Sequence, residues 1–227
     1  MEDQNGTLRV GVIGMGPVGQ ILAVHLKEAG CHVTVCDRNK ERVELIRKEG
    51  LHLEGKMAKQ QMPDEAFDTA RELAALKPDV IILAIKVYHT RAVIEELLSA
   101  GDGKPFIICA QNGIDVEEPV IDMFGEQRTF RMVLNFAGNL ARPNAVNVTF
   151  FNAPNFLASV DDSQGAFAER FAGTLSSVHL DTVVVDSFSL VDKVWEKTIL
   201  NSSLSALCGL SRLTIREAME QPGMAEI

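Results

Sequence analysis

The 227-residue chain has little with which to grip nucleic acid, cross a membrane or staple itself together. Its 22 Lys and Arg are outnumbered by 31 Asp and Glu, a formal net charge of −9. No basic surplus is therefore available to displace the counterions of a phosphodiester backbone, which argues against nucleic acid as a partner. A small anionic substrate stays admissible, because a local basic pocket can sit in an acidic protein. No apolar run reaches membrane-spanning length, and Met1–Asn5 lacks the basic n-region and long apolar stretch of a secretion signal. A cytoplasmic protein with no membrane partner is expected. The four cysteines, Cys31, Cys36, Cys109 and Cys208, contain no C-x-x-C pair, and the five histidines are scattered. Neither set offers a metal constellation, and the cysteines read as reduced, buried small hydrophobes. Internal repeats and low-complexity segments are also lacking. What remains is an ordinary globular composition, 46% hydrophobic and 23% charged, long enough for one or two domains around a substantial core.

Against this plain background one stretch stands out. The apolar run Val10–Ile13 passes into Gly14-Met15-Gly16-Pro17-Val18-Gly19 and then into a helix-like segment. This is the Gly-x-Gly-x-x-Gly pattern of a dinucleotide-binding turn. Gly14 permits the tight turn out of the strand, Gly16 lets backbone approach a pyrophosphate, and Gly19 lets helix pack on strand. The helix N-terminus then directs free N–H groups and the positive end of its dipole at the phosphates. A second apolar strand, His32–Cys36, ends in Asp37, 18 residues after Gly19. That is near the ~20-residue spacing at which an acid meets the adenosine ribose.

Further along, a charged helix is expected over 40–49, then a polar connector, a helix over 65–76, a buried strand Val80–Ile85, a helix over 90–98 and a strand over 105–110. Strand alternating with helix predicts a doubly wound parallel sheet. From about residue 128 short strands are expected at 131–134, 145–151, 156–160 and 180–185, with a helix near 165–176. They extend the first sheet or form an antiparallel edge to it. A long helix follows, capped by Asp186 or Ser187, stopped by Gly209 and buried over most of its surface; a last helix covers about 213–219. The fold class is α/β: a Rossmann-type dinucleotide-binding domain over 1–186, and 187–227 as the start of an all-helical substrate or dimerisation domain, with the chain expected to be cut inside it. A homodimer is a candidate assembly.

Chemistry-bearing residues gather at the strand ends and on the long helix. Lys86 follows the Val80–Ile85 strand and Asn112 follows the next one, both at the carboxyl edge where open α/β sheets bind ligands. A strand-end lysine reaching for water and an Asn-Gly turn account for them equally simply. Lys193, Lys197, Asn201 and Ser205 recur at steps of four, on one helix face. That stripe suits a substrate site or an exposed row of solvated side chains.

Four segments, in order, together resemble the ketopantoate reductase (2-dehydropantoate 2-reductase) family: Gly14–Gly19, Ile85-Lys86-Val87-Tyr88, Gln111-Asn112-Gly113 and Trp195-Glu196-Lys197-Thr198-Ile199-Leu200-Asn201. The resemblance implies NAD(P)H-dependent reduction of a small 2-oxo acid, 2-dehydropantoate foremost, with Lys197 as general acid and Asn201 as a substrate contact. It also implies that Lys86 and Asn112 line the nicotinamide and substrate side of the cleft. An ammonium there suits the chemistry, since a ketone accepting hydride develops negative charge on oxygen. The pattern departs at Ser205, where the family often repeats asparagine, and at Ile227, because family members continue into helices that carry a substrate-contacting glutamate and serine. Gly14, Met15, Gly16, Pro17, Val18, Gly19, Asp37, Arg38, Lys86 and Asn112 form the expected cofactor set; Lys197, Asn201, Ser205, Asn112 and Lys86 form the expected substrate set. Asp37 favours NAD, whereas Arg38 sits where the family grips the 2′-phosphate of NADP; NADP is the expected cofactor, with NAD admitted. The alternatives are an NAD-dependent dehydrogenase of another branched 2-hydroxy acid and a non-catalytic nucleotide-binding module.

Overall fold

Strand β1 (Arg9–Ile13), apolar on both faces, is an interior strand of the larger of two sheets in the computed structural model, which describes residues 6–101, 104–221 and 223. Met1–Asn5 and the last four residues, which belong to the two expected domains, lie outside the described residues. The chain continues through α1 (Pro17–Glu28), β2 (His32–Cys36), α2 (Lys40–Glu49), β3 (Leu51–Gly55), β4 (Lys59–Gln61), β5 (Glu65–Phe67), α3 (Ala70–Ala75), β6 (Val80–Leu83), α4 (Thr90–Ser99), β7 (Phe106–Cys109) and α5 (Glu118–Phe124). Then come β8 (Thr129–Val133), β9 (Phe136–Arg142), β10 (Ala145–Phe151), β11 (Asn155–Ser159), α6 (Gly165–Ser176), β12 (Thr182–Val184), α7 (Ser187–Ser211) and α8 (Ile215–Met219).

The larger sheet has the order β12-β11-β8-β7-β6-β1-β2-β5. Its strands from β5 to β8 are parallel, as the sequence predicts, and β11 returns antiparallel to β8 with β12 parallel to β11. Helices cover both faces. Val10, Val12, Val33, Ile82 and Ile108 point with α1 and α6 into one core, while Ile13, Ile81, Leu83, Ile107 and Cys109 meet α3, α4 and α5 in another. Successive strand residues face opposite sides, and both sides are dry, which is why these strands read as unbroken apolar runs.

A second sheet, β4-β3-β10-β9, departs from the expectation. The supposed polar connector after α2 forms β3 and β4, and β10 pairs parallel with β3 across a long sequence separation rather than joining the first sheet. Leu51, Leu53, Val146 and Val148 alternate inward and seal α1 between the two sheets. Residues Gly19–Leu26 of α1 are consequently all buried, including Gln20 and His25. The expected helix over 65–76 is also corrected. Glu65–Phe67 adds to the sheet edge beside β2, and only Ala70–Ala75 is helical, started by the Thr69 side chain accepting from Glu72 N. The Thr69 cap sets the helix start at Ala70, which leaves Glu65–Phe67 extended beside β2.

α7 begins where Asp186 accepts from Ser189 N at 2.8 Å, as the sequence predicts. It does not stop at Gly209; it runs to Ser211 and ends with Arg212 in the left-handed conformation (φ 58°). Nor is it buried over most of its surface. Among the described residues Leu190 is its single buried side chain, packed with Val133 and Ala158, while Phe188, Val191, Trp195, Ile199 and Leu200 are exposed. One narrow stripe lies against β8 and β11, and that contact fixes which side chains reach the sheet. No helix is long and apolar enough to cross a membrane among the described residues.

Candidate active site

Strands β1, β2, β6 and β7 end level: Ile13 pairs with Cys36 and Leu83, and Leu83 with Cys109, while β8 runs two residues past its Cys109–Arg131 pair. The loops that leave these ends therefore open onto one edge, the carboxyl edge where doubly wound sheets take their ligands. A cleft of about 520 Å³ lies there. Gly14, Gly16, Pro17, Val18, Asp37, Arg38, Lys86 and Asn112 line it, together with Arg42, Tyr88 and Gln111.

The glycine turn is specified by packing at two positions and by open space at a third. Gly14 adopts φ +97°, and a Cβ there would meet Ala84 O at 2.8 Å. A Cβ on Gly19 would sit 1.9 Å from Gly14 O, so this residue lets α1 abut the turn. At Gly16 a Cβ would meet nothing within 4 Å. Nothing within the chain demands glycine at that point, but a phosphate group seated in the cleft over the start of α1 would. Met15 and Gly19 are buried and do not line the cleft; Met15 contributes through its backbone.

Asp37 has a structural task that the spacing argument missed. Its Oδ2 accepts from Met15 N at 2.7 Å and from Arg42 Nη1 at 2.8 Å, and its Oδ1 accepts from Asn39 N at 2.9 Å. It thereby ties the glycine turn to the end of β2. Gln20 holds the other side, donating to Met15 O at 2.8 Å and Pro143 O at 2.9 Å, so the turn is anchored to the second sheet as well. Arg38, by contrast, is exposed at the cleft wall with no hydrogen bond or ion pair among the described residues.

Lys86 is exposed three residues beyond β6, at the entry to the Val87–His89 turn, and faces the same cleft. Asn112 belongs to both this cleft and a narrow crevice beyond it, formed with Gly113, Arg131, Val194, Lys197, Thr198 and Asn201. The structure thus brings Lys197 and Asn201 beside Asn112. Ser205, two turns after Lys197 on α7, is exposed and lines neither space. Lys193 also departs from the stripe: it pairs with Glu196 at 3.0 Å and lies over the Phe156 ring.

Lys197 is the unusual member. It is partly buried, donates to Leu134 O at the end of β8, and its pKa falls from the ordinary 10.5 to about 8. Burial is the main cause, and the positive charge of Arg131 adds to it. An ammonium so poised can hydrogen-bond a carbonyl oxygen and surrender its proton near neutral pH. Arg131 lines the same crevice, and sequence reasoning did not identify it. It is buried in β8, donating to Cys109 O at 3.2 Å, to Gly113 O at 2.9 Å and to Gln111 O, with Glu117 3.5 Å from its Nε. An arginine inside an otherwise apolar strand segment, Phe130 to Leu134, was the available signal. Among the described residues no group of three or more His, Cys, Asp or Glu could hold a metal ion.

Comparison with known proteins bears on the family and the fold. The family model described as ketopantoate reductase PanE/ApbA matches residues 10–159. The 2-dehydropantoate 2-reductase of Aquifex aeolicus (strain VF5) is 23% identical over 225 residues, covering 95% of this chain and 67% of that protein. Two solved structures share the fold. A 2-dehydropantoate 2-reductase from Geobacter metallireducens GS-15 superposes with a TM-score of 0.80 at 20% identity, over 96% of this chain and 71% of that one. D-mandelate dehydrogenase in ternary complex with NADH and anilino(oxo)acetate gives a TM-score of 0.81 at 19% identity, over 96% of this chain and 69% of that one.

Proposed function

The chain belongs to the ketopantoate reductase PanE/ApbA family, and from that premise we propose that it reduces a small 2-oxo acid, 2-dehydropantoate to pantoate, with NADPH. The observation that carries the reading is the partly buried, proton-poised Lys197 beside the strand-end cleft. A nicotinamide dinucleotide bound along the cleft supplies the hydride.

The chain's own residues do the rest. The glycine turn and the start of α1 receive the pyrophosphate through backbone N–H groups, with Gly16 leaving room for it. Arg38 grips the 2′-phosphate; the oxygens of Asp37, already engaged within the chain, offer the ribose little. Lys86 and Asn112 orient the groups between cleft and crevice. Lys197 donates a hydrogen bond to the substrate ketone oxygen and gives it the proton that completes the alcohol. Asn201, one turn on, holds the substrate's polar end. In this reading residues 1–186 form the nucleotide side of the enzyme and 187–227 the substrate side.

Lys197→Ala tests the proposal. Turnover of 2-dehydropantoate should fall by about 10²-fold or more, on the scale of a lost general acid, while NADPH still binds. Unchanged turnover would remove Lys197 from that role. A second reading, an NAD-dependent dehydrogenase of another branched 2-hydroxy acid, is favoured by an acid at Asp37 and by Ser205 in place of asparagine. A panel of 2-oxo acids with NADH and NADPH separates the two.

A further inference from the structure

We propose that Arg131 is a positioning residue for this reduction: one buried guanidinium both fixes the loop that carries Asn112 and sets a positive charge behind Lys197. The proposal rests on Lys197 as the proton donor, and it adds a residue that neither touches the cofactor cleft nor belongs to the four family-like segments.

The geometry is specific. β7 ends at Cys109, and the chain leaves the sheet through Gln111, Asn112 and Gly113 before α5. That exit strands three carbonyls, of Cys109, Gln111 and Gly113, and all three receive N–H groups of Arg131 from the neighbouring strand. A planar fork reaches these spread acceptors from two nitrogens set apart in a rigid plane, whereas a lysine's three donors radiate from a single rotating nitrogen. With alternate carbonyls of the loop held inward, Asn112 is left on the side that faces both cavities. A loop tied in this way presents Asn112 already ordered, so little conformational entropy is lost when a ligand arrives.

The charge matters as much as the fork. Lys197 faces Arg131 from α7 across the crevice. The other groups around it are uncharged in the β7 exit loop (Gln111, Asn112, Gly113) and at the end of β8 (Met132, Val133, Leu134). On α7 itself Lys193 and Glu196 are paired with each other. Glu117, at the start of α5, lies behind Arg131 and offsets part of its charge. Arg131 is therefore the charged residue from a neighbouring element that bears directly on Lys197, and it disfavours the ammonium, in line with the lowered proton affinity of that lysine.

Nuclear magnetic resonance of lysine-labelled protein, with the Lys197 signal identified by its loss in Lys197→Met, reads this directly. Arg131→Gln should raise the Lys197 titration midpoint by about one pH unit. Arg131→Lys, which keeps the charge but not the fork, should leave the midpoint near its original value and weaken NADPH binding severalfold. Glu117→Gln, which retains Arg131, should lower the midpoint and keeps the test usable if Arg131→Gln does not fold. A midpoint unmoved in both Arg131→Gln and Glu117→Gln overturns the electrostatic half; undiminished NADPH affinity in Arg131→Lys overturns the positioning half. Neither readout depends on turnover. If Lys197→Ala stays active while these shifts appear, the general-acid reading fails and the Arg131 coupling stands.

Discussion

Replacing Lys197 by methionine should make the protein more stable at neutral pH, and less so as the solution becomes alkaline. Lys197 titrates near 8 in the folded chain, against 10.5 for an unhindered lysine. That difference corresponds to on the order of 3 kcal/mol of disfavoured charge below pH 8. Methionine fills a similar volume without a charge to desolvate. It also forfeits the hydrogen bond to Leu134 O, which offsets about 1 kcal/mol, leaving a net gain of about 2 kcal/mol near pH 7. The sign follows from proton counting. Between pH 8 and 10.5 the unfolded lysine keeps its proton while the folded one releases it, so wild-type stability rises with pH across that window. Above 10.5 both states are neutral, the gain from removing the charge is gone, and the lost hydrogen bond leaves the methionine variant about 1 kcal/mol less stable. Urea denaturation of both proteins, followed by circular dichroism from pH 7 upward, measures the difference while shared alkaline effects cancel. A less stable variant at pH 7, or a difference flat with pH, would refute the reasoning. Stability gained at the expense of activity is the pattern expected of a residue held in a costly state for function.

Two glycines of the nucleotide turn should separate folding from binding. Gly19→Ala drives a Cβ to within 1.9 Å of Gly14 O, a backbone clash that should cost about 3 kcal/mol or more and show in the melting temperature. Gly16→Ala meets no protein atom, so stability should stay within about 1 kcal/mol of wild type while NADPH affinity drops about tenfold or more. Asp37→Asn keeps the shape but sets a donor against one of its three donor partners; about 2 kcal/mol of stability should go, read by denaturant titration, with nucleotide binding weakened through the loosened turn.

Local pattern carried much of the fold and the outline of the site. The parallel sheet, the Gly14–Gly19 turn and the positions of Lys86 and Asn112 were legible because each depends on a few consecutive residues: an apolar run, a turn that only glycine fits, a polar residue just past a strand. The second sheet was not: β10 was legible as a strand over 145–151, but its partner β3, half polar, was not, and the two are joined by pairing across some ninety residues. The exposure of α7 was misjudged for a related reason. Apolar periodicity tells which face seeks cover, but whether cover is present depends on elements elsewhere, and here β8 and β11 reach one stripe only. Lys197 was legible through the Trp195–Asn201 segment, yet its altered proton affinity comes from burial and from Arg131, which lies 66 positions earlier in the chain.

Asp37 and Arg131 follow one physical rule, and it changes what the acid after β2 can be taken to mean. Each is a buried charge placed where a strand-end loop leaves backbone groups of one kind unpaired. The glycine turn and the β2 exit each strand an N–H group, of Met15 and of Asn39, and one carboxylate accepts both. The β7 exit strands carbonyls, and a guanidinium donates to three of them. Buried orphans of either kind cost about 1–3 kcal/mol each, so the sign of the side chain is dictated by the loop before any ligand enters. An acid at position 37 is thus accounted for without a ribose. In the proposed reading, discrimination between the two dinucleotides then falls to the neighbour that the loop leaves unused, Arg38, exposed at the cleft wall. Spacing from the last glycine locates the edge at which the choice is made; which residue makes it depends on what the backbone has already consumed.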